Sequence, residues 1–192
     1  MIRLWITNGM GRSVPLSRYK KAPGMFTKIL VAVSASSVDT VLESAIDIAK
    51  KYDSRIFALH VVDPTPCVMG PCDYDFGLVL EAMEAHGREI VTQTTDVLND
   101  HSRPAETRMV TLPISGSSVG RAIASAANTS GVDLILLGER KPGWWRWLSE
   151  DVASEVRRHT NTPIQIVSGT VIGSWTRRAA TRWTKAPAAD AR

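Results

Sequence analysis

Two kinds of apolar pattern alternate along this chain, and that alternation constrains its fold more than any single motif. Residues 26–33 (FTKILVAV), 55–62 (RIFALHVV), 133–137 (DLILL) and 163–167 (PIQIV) are short, nearly continuous apolar runs rich in β-branched side chains. Runs of this length read as strands buried on both faces. Residues 106–112 form a weaker fifth run, placed nearer an edge. Between the runs the apolar period changes from continuous to helical. Val38, Val41, Leu42, Ala45 and Ala49 share one helical face behind a small-residue turn, with Ser37 as the expected N-cap. Asp63-Pro64 ends the second strand, and a Pro- and Gly-containing loop runs to about Asp75. Leu80, Met83, Gly87, Ile90, Val91, Thr94 and Leu98 then make one long stripe. Ser117 or Ser118 caps a shorter helix with Val119, Ile123 and Ala126 or Ala127 inward, and Gly131 ends it. A last helix is expected over residues 149–160, capped by Ser149. A βαβαβαβαβ order requires right-handed crossovers and an open, doubly wound, five-stranded parallel sheet with helices on both faces. Ligands of such α/β sheets sit beyond the carboxyl ends of the strands, where strand order reverses. That directs attention to Val33-Ser34, Val62-Asp63 and Gly138 onward.

The charge has a definite address. The 192 residues carry 23 Lys and Arg against 19 Asp and Glu, a formal +4, with a pI near 9.3. Residues 1–24 hold Arg3, Arg12, Arg18, Lys20 and Lys21 with no acid, a net +5. Residues 169–192 hold Arg177, Arg178, Arg182, Lys185 and Arg192 against Asp190, a net +4. The body between them keeps 13 basic and 18 acidic residues, a net −5. Periodicity also stops at those boundaries. The expected organisation is one domain over residues 25–168 flanked by two basic, disordered extensions, 1–24 and 169–192. The first 24 residues loosely resemble a transit peptide, but translation from Met25, just ahead of the first strand, is the simpler expectation. No segment approaches the roughly 18 apolar residues of a spanning helix. With Cys67 and Cys72 the only cysteines, a reducing, cytoplasmic setting is expected.

ILVAVSASS, ALHVVD, GVDLILLGERKPG and VASEVRRHTNTPIQIV, in this order and spacing, resemble the universal stress protein family across residues 25–168. The resemblance implies strand order 3-2-1-4-5 and a homodimer paired through the last strand, here Pro163, Ile164, Gln165, Ile166 and Val167. It also implies a division between members that bind ATP and members that do not. ATP-binding members place an Asp at the end of strand one, and after strand four a Gly, two residues, Gly, nine residues, then Gly with Ser or Thr. Glycines of that kind let backbone approach phosphates, and the small residues open an anion-welcoming helix N-terminus. Here Ser34 stands at the strand-one position after Val33, and Gly138 matches the first glycine. Lys141 replaces the second, with Gly143 close by, and Glu150-Asp151 replaces the closing pair. A carboxylate about 4 Å from a phosphate charge costs roughly 4 kcal/mol at an effective dielectric of 20. Glu150 and Asp151 also complement the positive end of the last helix, as Arg157, Arg158 and His159 complement its negative end.

Other chemistry has thin support. There is no P-loop, Gly-x-Ser-x-Gly elbow, His-Glu-x-x-His helix or Gly-x-Gly-x-x-Gly turn, so no catalytic residue is nominated and the chain is read as a non-enzyme. His60 reads as structural, and His86, His101 and His159 as solvated side chains. Cys67 and Cys72, even with His60 and Asp73, lack the second pair that a metal site needs, so no metal is expected. Gly116 to Gly120 reads as a strand-to-helix turn with a cap. Trp144, Trp145 and Trp147 fall in the loop that covers nucleotide in ATP-binding relatives; they suit filling of that pocket and an interface. Trp175 and Trp183 interleave with the C-terminal cations, a composition that can bind nucleic acid or an anionic membrane. The leading expectation is a stress-response binding module that contacts a partner protein, needs no cofactor and does not hold ATP stably. The alternatives are an ATP- or AMP-binding member using Val33, Ser34, Gly138, Arg140 and Gly143, and a nucleic-acid or membrane adaptor working through the tails.

Overall fold

The computed structural model describes residues 5–7, 13–15, 26–34, 38–68, 75–101, 105–139 and 151–168, the first two stretches by their backbone. Among the described residues, seven strands and five helices follow in the order β1(Trp5–Thr7), β2(Ser13–Pro15), β3(Lys28–Val33), α1(Val38–Tyr52), β4(Arg55–Val62), α2(Thr65–Val68), α3(Phe76–Asp100), β5(Ala105–Thr111), α4(Val119–Ser130), β6(Leu134–Gly138), α5(Val152–His159) and β7(Ile164–Val167). The sheet runs β2-β1-β7-β6-β3-β4-β5. Its five strands from β3 onward are parallel, in the expected order 3-2-1-4-5.

Both faces of the sheet are covered, as the continuous apolar runs require. Ile29, Val31, Val33, Ile56, Ala58, Leu134 and Leu136 pack against α1 and α3. Leu30, Phe57, Leu59, Ile135, Leu137 and Ile164 pack against α4 and α5. Alternate residues of one strand thus enter opposite cores, the period of two that a pleated strand imposes. The sheet's lower end is tied by one carboxylate. Asp133 Oδ2 accepts from Thr27 N and Thr27 Oγ1, both at 2.6 Å, and from Lys28 N at 3.1 Å. Beside it Phe26 meets Tyr52 edge-on at 5.3 Å, and Ser54 Oγ donates to the Phe26 carbonyl.

Helix ends follow local chemistry. Ser118 caps α4 by accepting from Arg121 N, and Gly131 closes it in the left-handed region at φ 60°. α3 starts at its N-cap Asp75, and its buried residues are Gly87, Ile90, Thr94 and Leu98. Gly87 is a point of close approach. A Cβ there would lie 2.8 Å from Met109 Sδ and 2.9 Å from Val62 Cγ2. The expected cap Ser37 lies outside the described residues.

Two features depart from the sequence expectation. The Pro-containing loop after β4 holds the short helix α2, started by Asp63 Oδ1 accepting from Thr65 N at 3.0 Å. Within the N-terminal extension, β1 and β2 pair antiparallel, and β1 joins β7 antiparallel at Thr7↔Ile164. The outer edge of β7 offers backbone groups that need partners, and nearby extended chain supplies some of them. Runs of three residues carry too little period to announce this in sequence. Residues 169–192 lie outside the described residues.

Candidate functional site

The strand order reverses between β3 and β6, and the crevice at their carboxyl ends is the place where this architecture receives ligands. Three of the five residues nominated from sequence meet there. β3 and β6 stay in register through Ala32↔Leu137, so Val33 and Gly138 follow side by side, with Ser34 one step beyond. Val33 is buried and Ser34 exposed. Arg140 and Gly143 lie outside the described residues, as do Lys141, Glu150, Trp144, Trp145 and Trp147.

His60 belongs to this rim, and its structural role has a geometry. It stands opposite Val33 on β4, and its Nδ1 lies 2.9 Å from the Val33 carbonyl oxygen. The ring therefore braces the end of β3 directly beneath the crevice. Sequence reasoning pointed to the acids of the rim only as strand-end positions and gave neither a role. Asp63 follows β4 and Glu139 follows β6, where Glu139 N donates to the Val167 carbonyl at 2.8 Å. A residue that ends a buried strand next to a turn is the available signal for both.

β6 and β7 are parallel, so the helix between them runs back along the sheet and its N-terminus lies towards this same end. Asp151 is its N-cap, where Ser149 was expected. Asp151 Oδ1 accepts from Ser154 N at 3.2 Å and Oδ2 from Ser154 Oγ at 2.6 Å. The Ser154 hydroxyl first, then the Ser154 N–H, with help from Arg157, holds the Asp151 carboxyl below its ordinary range. Asp fits better than Ser because a full negative charge meets both the orphan N–H and the helix dipole. At the other end of α5, Glu155 bonds Arg158 at 3.0 Å and His159 at 2.9 Å.

The remaining candidates stay apart from the crevice. Cys67 lies in α2 with Sγ 3.5 Å from Met83 Sδ, while Cys72 and Asp73 lie outside the described residues. His86 lies 3.8 Å from Glu89, and His101 caps the C-terminus of α3. Among the described residues no three His, Cys, Asp or Glu side chains gather to hold a metal, and no helix is long and apolar enough to cross a membrane. An open basin of about 830 Å³ does exist, but at the opposite end of the sheet, lined by Lys28, Lys50, Lys51 and Arg55. Three of these four cations have local explanations: Lys50 and Lys51 complement the C-terminus of α1, and Lys28 pairs with Glu106 at 3.4 Å.

Comparison with known proteins agrees with the topology. Residues 25–168 match the profile of the Universal stress protein family. Over 150 residues the chain is 26% identical to a universal stress protein of Methanocaldococcus jannaschii, spanning 77% of this chain and 85% of that one. A universal stress protein family structure from Burkholderia pseudomallei aligns with a TM-score of 0.59 at 22% identity, covering 76% of this chain and 98% of that one. A universal stress protein solved in complex with cAMP aligns with a TM-score of 0.51 at 18% identity, covering 74% and 97%. Strand order, helix placement and the match over the whole body agree: this chain belongs to the universal stress protein family.

Proposed function

We propose that this chain is a regulatory binding module of the stress response that acts through protein contacts and does not hold ATP stably. The observation that carries the reading is the Asp151 carboxylate on the N-terminus of α5, bonded to Ser154 N at 3.2 Å. A helix N-terminus attracts phosphate through its orphan N–H groups and dipole. A carboxylate already bonded to one of those groups satisfies the same need and repels a second anion. Asp63 and Glu139 at neighbouring strand ends add negative charge to the rim. No reaction is assigned to the module, whose sequence holds none of the catalytic motifs sought above. Its setting is a reducing, cytoplasmic one, in keeping with the Cys67 thiol packed on Met83. Its self-association surface is the outer edge of β7, spanning Pro163, Ile164, Gln165, Ile166 and Val167.

A second reading is an AMP- or ATP-binding member with a diverged phosphate loop. Convergence of Val33, Ser34 and Gly138 at the strand reversal favours it, as does the relative solved with cAMP. Arg140 and Gly143 would then complete the contacts. Titration calorimetry with ATP and with AMP, together with mass analysis of small molecules retained on purification, separates the two. The leading reading expects no heat at micromolar nucleotide and no retained nucleotide. Micromolar ATP affinity of the native chain would overturn it.

A further inference from the structure

Strand β7 presents an inner edge to β6 and an outer edge to β1, and the two are unequally used. The inner edge carries four register pairs, from Ile135↔Ile164 to Gly138↔Val167. The outer edge carries one, Thr7↔Ile164. Partly paired edges invite another strand, and proteins commonly cover them. Two side chains on β7 mark this edge as suited to a fuller partner. Ile166 is 43% exposed, one of three large hydrophobic residues so exposed among those described. Gln165 is fully buried, yet neither its amide nitrogen nor its oxygen has a hydrogen-bond partner. It continues the apolar row of Val31 and Leu136 on the α1 face, where an unpartnered amide costs roughly 1–3 kcal/mol. A carboxamide both donates and accepts, so two copies of β7 paired antiparallel can satisfy each other there.

We propose that the β1–β2 hairpin is an intramolecular cover of the β7 edge, and that the partner it excludes is a second copy of this chain. The inference rests on the reading of β7 as the self-association surface and adds what regulates it. Charge favours the cover over the copy. Residues 1–24 are net +5 and the body is net −5, so the hairpin is drawn to the body while two bodies repel. Tethering favours it as well, because residues 16–27 hold the hairpin at an effective concentration on the order of millimolar. A two-stranded hairpin is marginal alone, so its hold on β7 is weak enough to be displaced.

The test is molar mass by light scattering at micromolar protein, on the full chain, on a chain lacking residues 1–24, and on full-length Thr7→Pro. Proline removes the N–H and disfavours ladder pairing at the one register position, so this variant opens the edge without shortening the chain should the truncation not fold. The proposal expects one protomer for the full chain and two for both opened forms. Ile166→Glu, at an exposed position, returns the shortened chain to one protomer. A full chain that is already a dimer, unchanged by either opening, overturns the cover and leaves the self-association reading standing. Opened forms that stay monomeric while folded overturn both. A shortened dimer indifferent to Ile166→Glu places the interface elsewhere and also overturns the proposal.

Discussion

Gly87 and Gln165 show how much one side chain decides in this fold. Gly87 lets α3 lie against β4 and β5, and a methyl there would press on Met109, Val62 and His60. Met109 Sδ can swing aside, but Val62 is branched and buried, and His60 is held by the Val33 carbonyl. Alanine recovers about 1 kcal/mol of helix propensity, whereas overpacking costs roughly 1–3 kcal/mol. Gly87→Ala should therefore lower stability by about 1 kcal/mol, read as an earlier urea midpoint with an unchanged slope. Gln165 is the opposite case. Gln165→Leu removes an unpartnered buried amide at similar volume, so the full chain should gain about 1 kcal/mol. The glycine was legible in sequence as a member of the α3 stripe. The unpartnered amide of Gln165 was not, because a run read as buried on both faces does not say which polar group will be left without a hydrogen bond.

At the scale of elements, α5 joins local stability to the ligand question. Its cap contributes about 1 kcal/mol by the usual worth of an N-cap aspartate, so Asp151→Ala should destabilise by that order in thermal melts. The pH dependence follows from the lowered Asp151 pKa. A carboxyl titrating lower in the folded than in the unfolded chain stabilises fully above the unfolded value, about 3.9. That contribution falls away as acid passes through the folded value below it. Melting curves of the native chain and Asp151→Ala should accordingly converge below about pH 3.9 and stay parallel above about pH 5. A gap that persists into strong acid would contradict this origin. Sequence alone assigned the right charges to both ends of α5 but the wrong cap, since a Ser followed by two acids offers three candidates and only backbone geometry chooses.

For the whole molecule, basicity is a property of the ends. The full chain is +4 and residues 25–168 are −5, so at neutral pH the full chain should bind a cation exchanger and the body an anion exchanger. Retention of both on the same resin would show that the body's charge is masked. The sheet's parallel strands and its two covered faces were readable from the chain's periodicity, while the strand order, and with it the crevice at β3 and β6, followed from the family resemblance. Continuous β-branched runs separated by helical periods admit few other packings, and the family motifs lie in order along them. What the tertiary structure alone decided were matters of proximity: the hairpin of Trp5–Thr7 and Ser13–Pro15 on β7, the brace of His60 on Val33, and the bond of the Asp151 carboxylate to Ser154 at the start of α5. Periodicity reports which face of an element is apolar. It carries no information about which polar groups, distant in sequence, will find each other once those faces are buried.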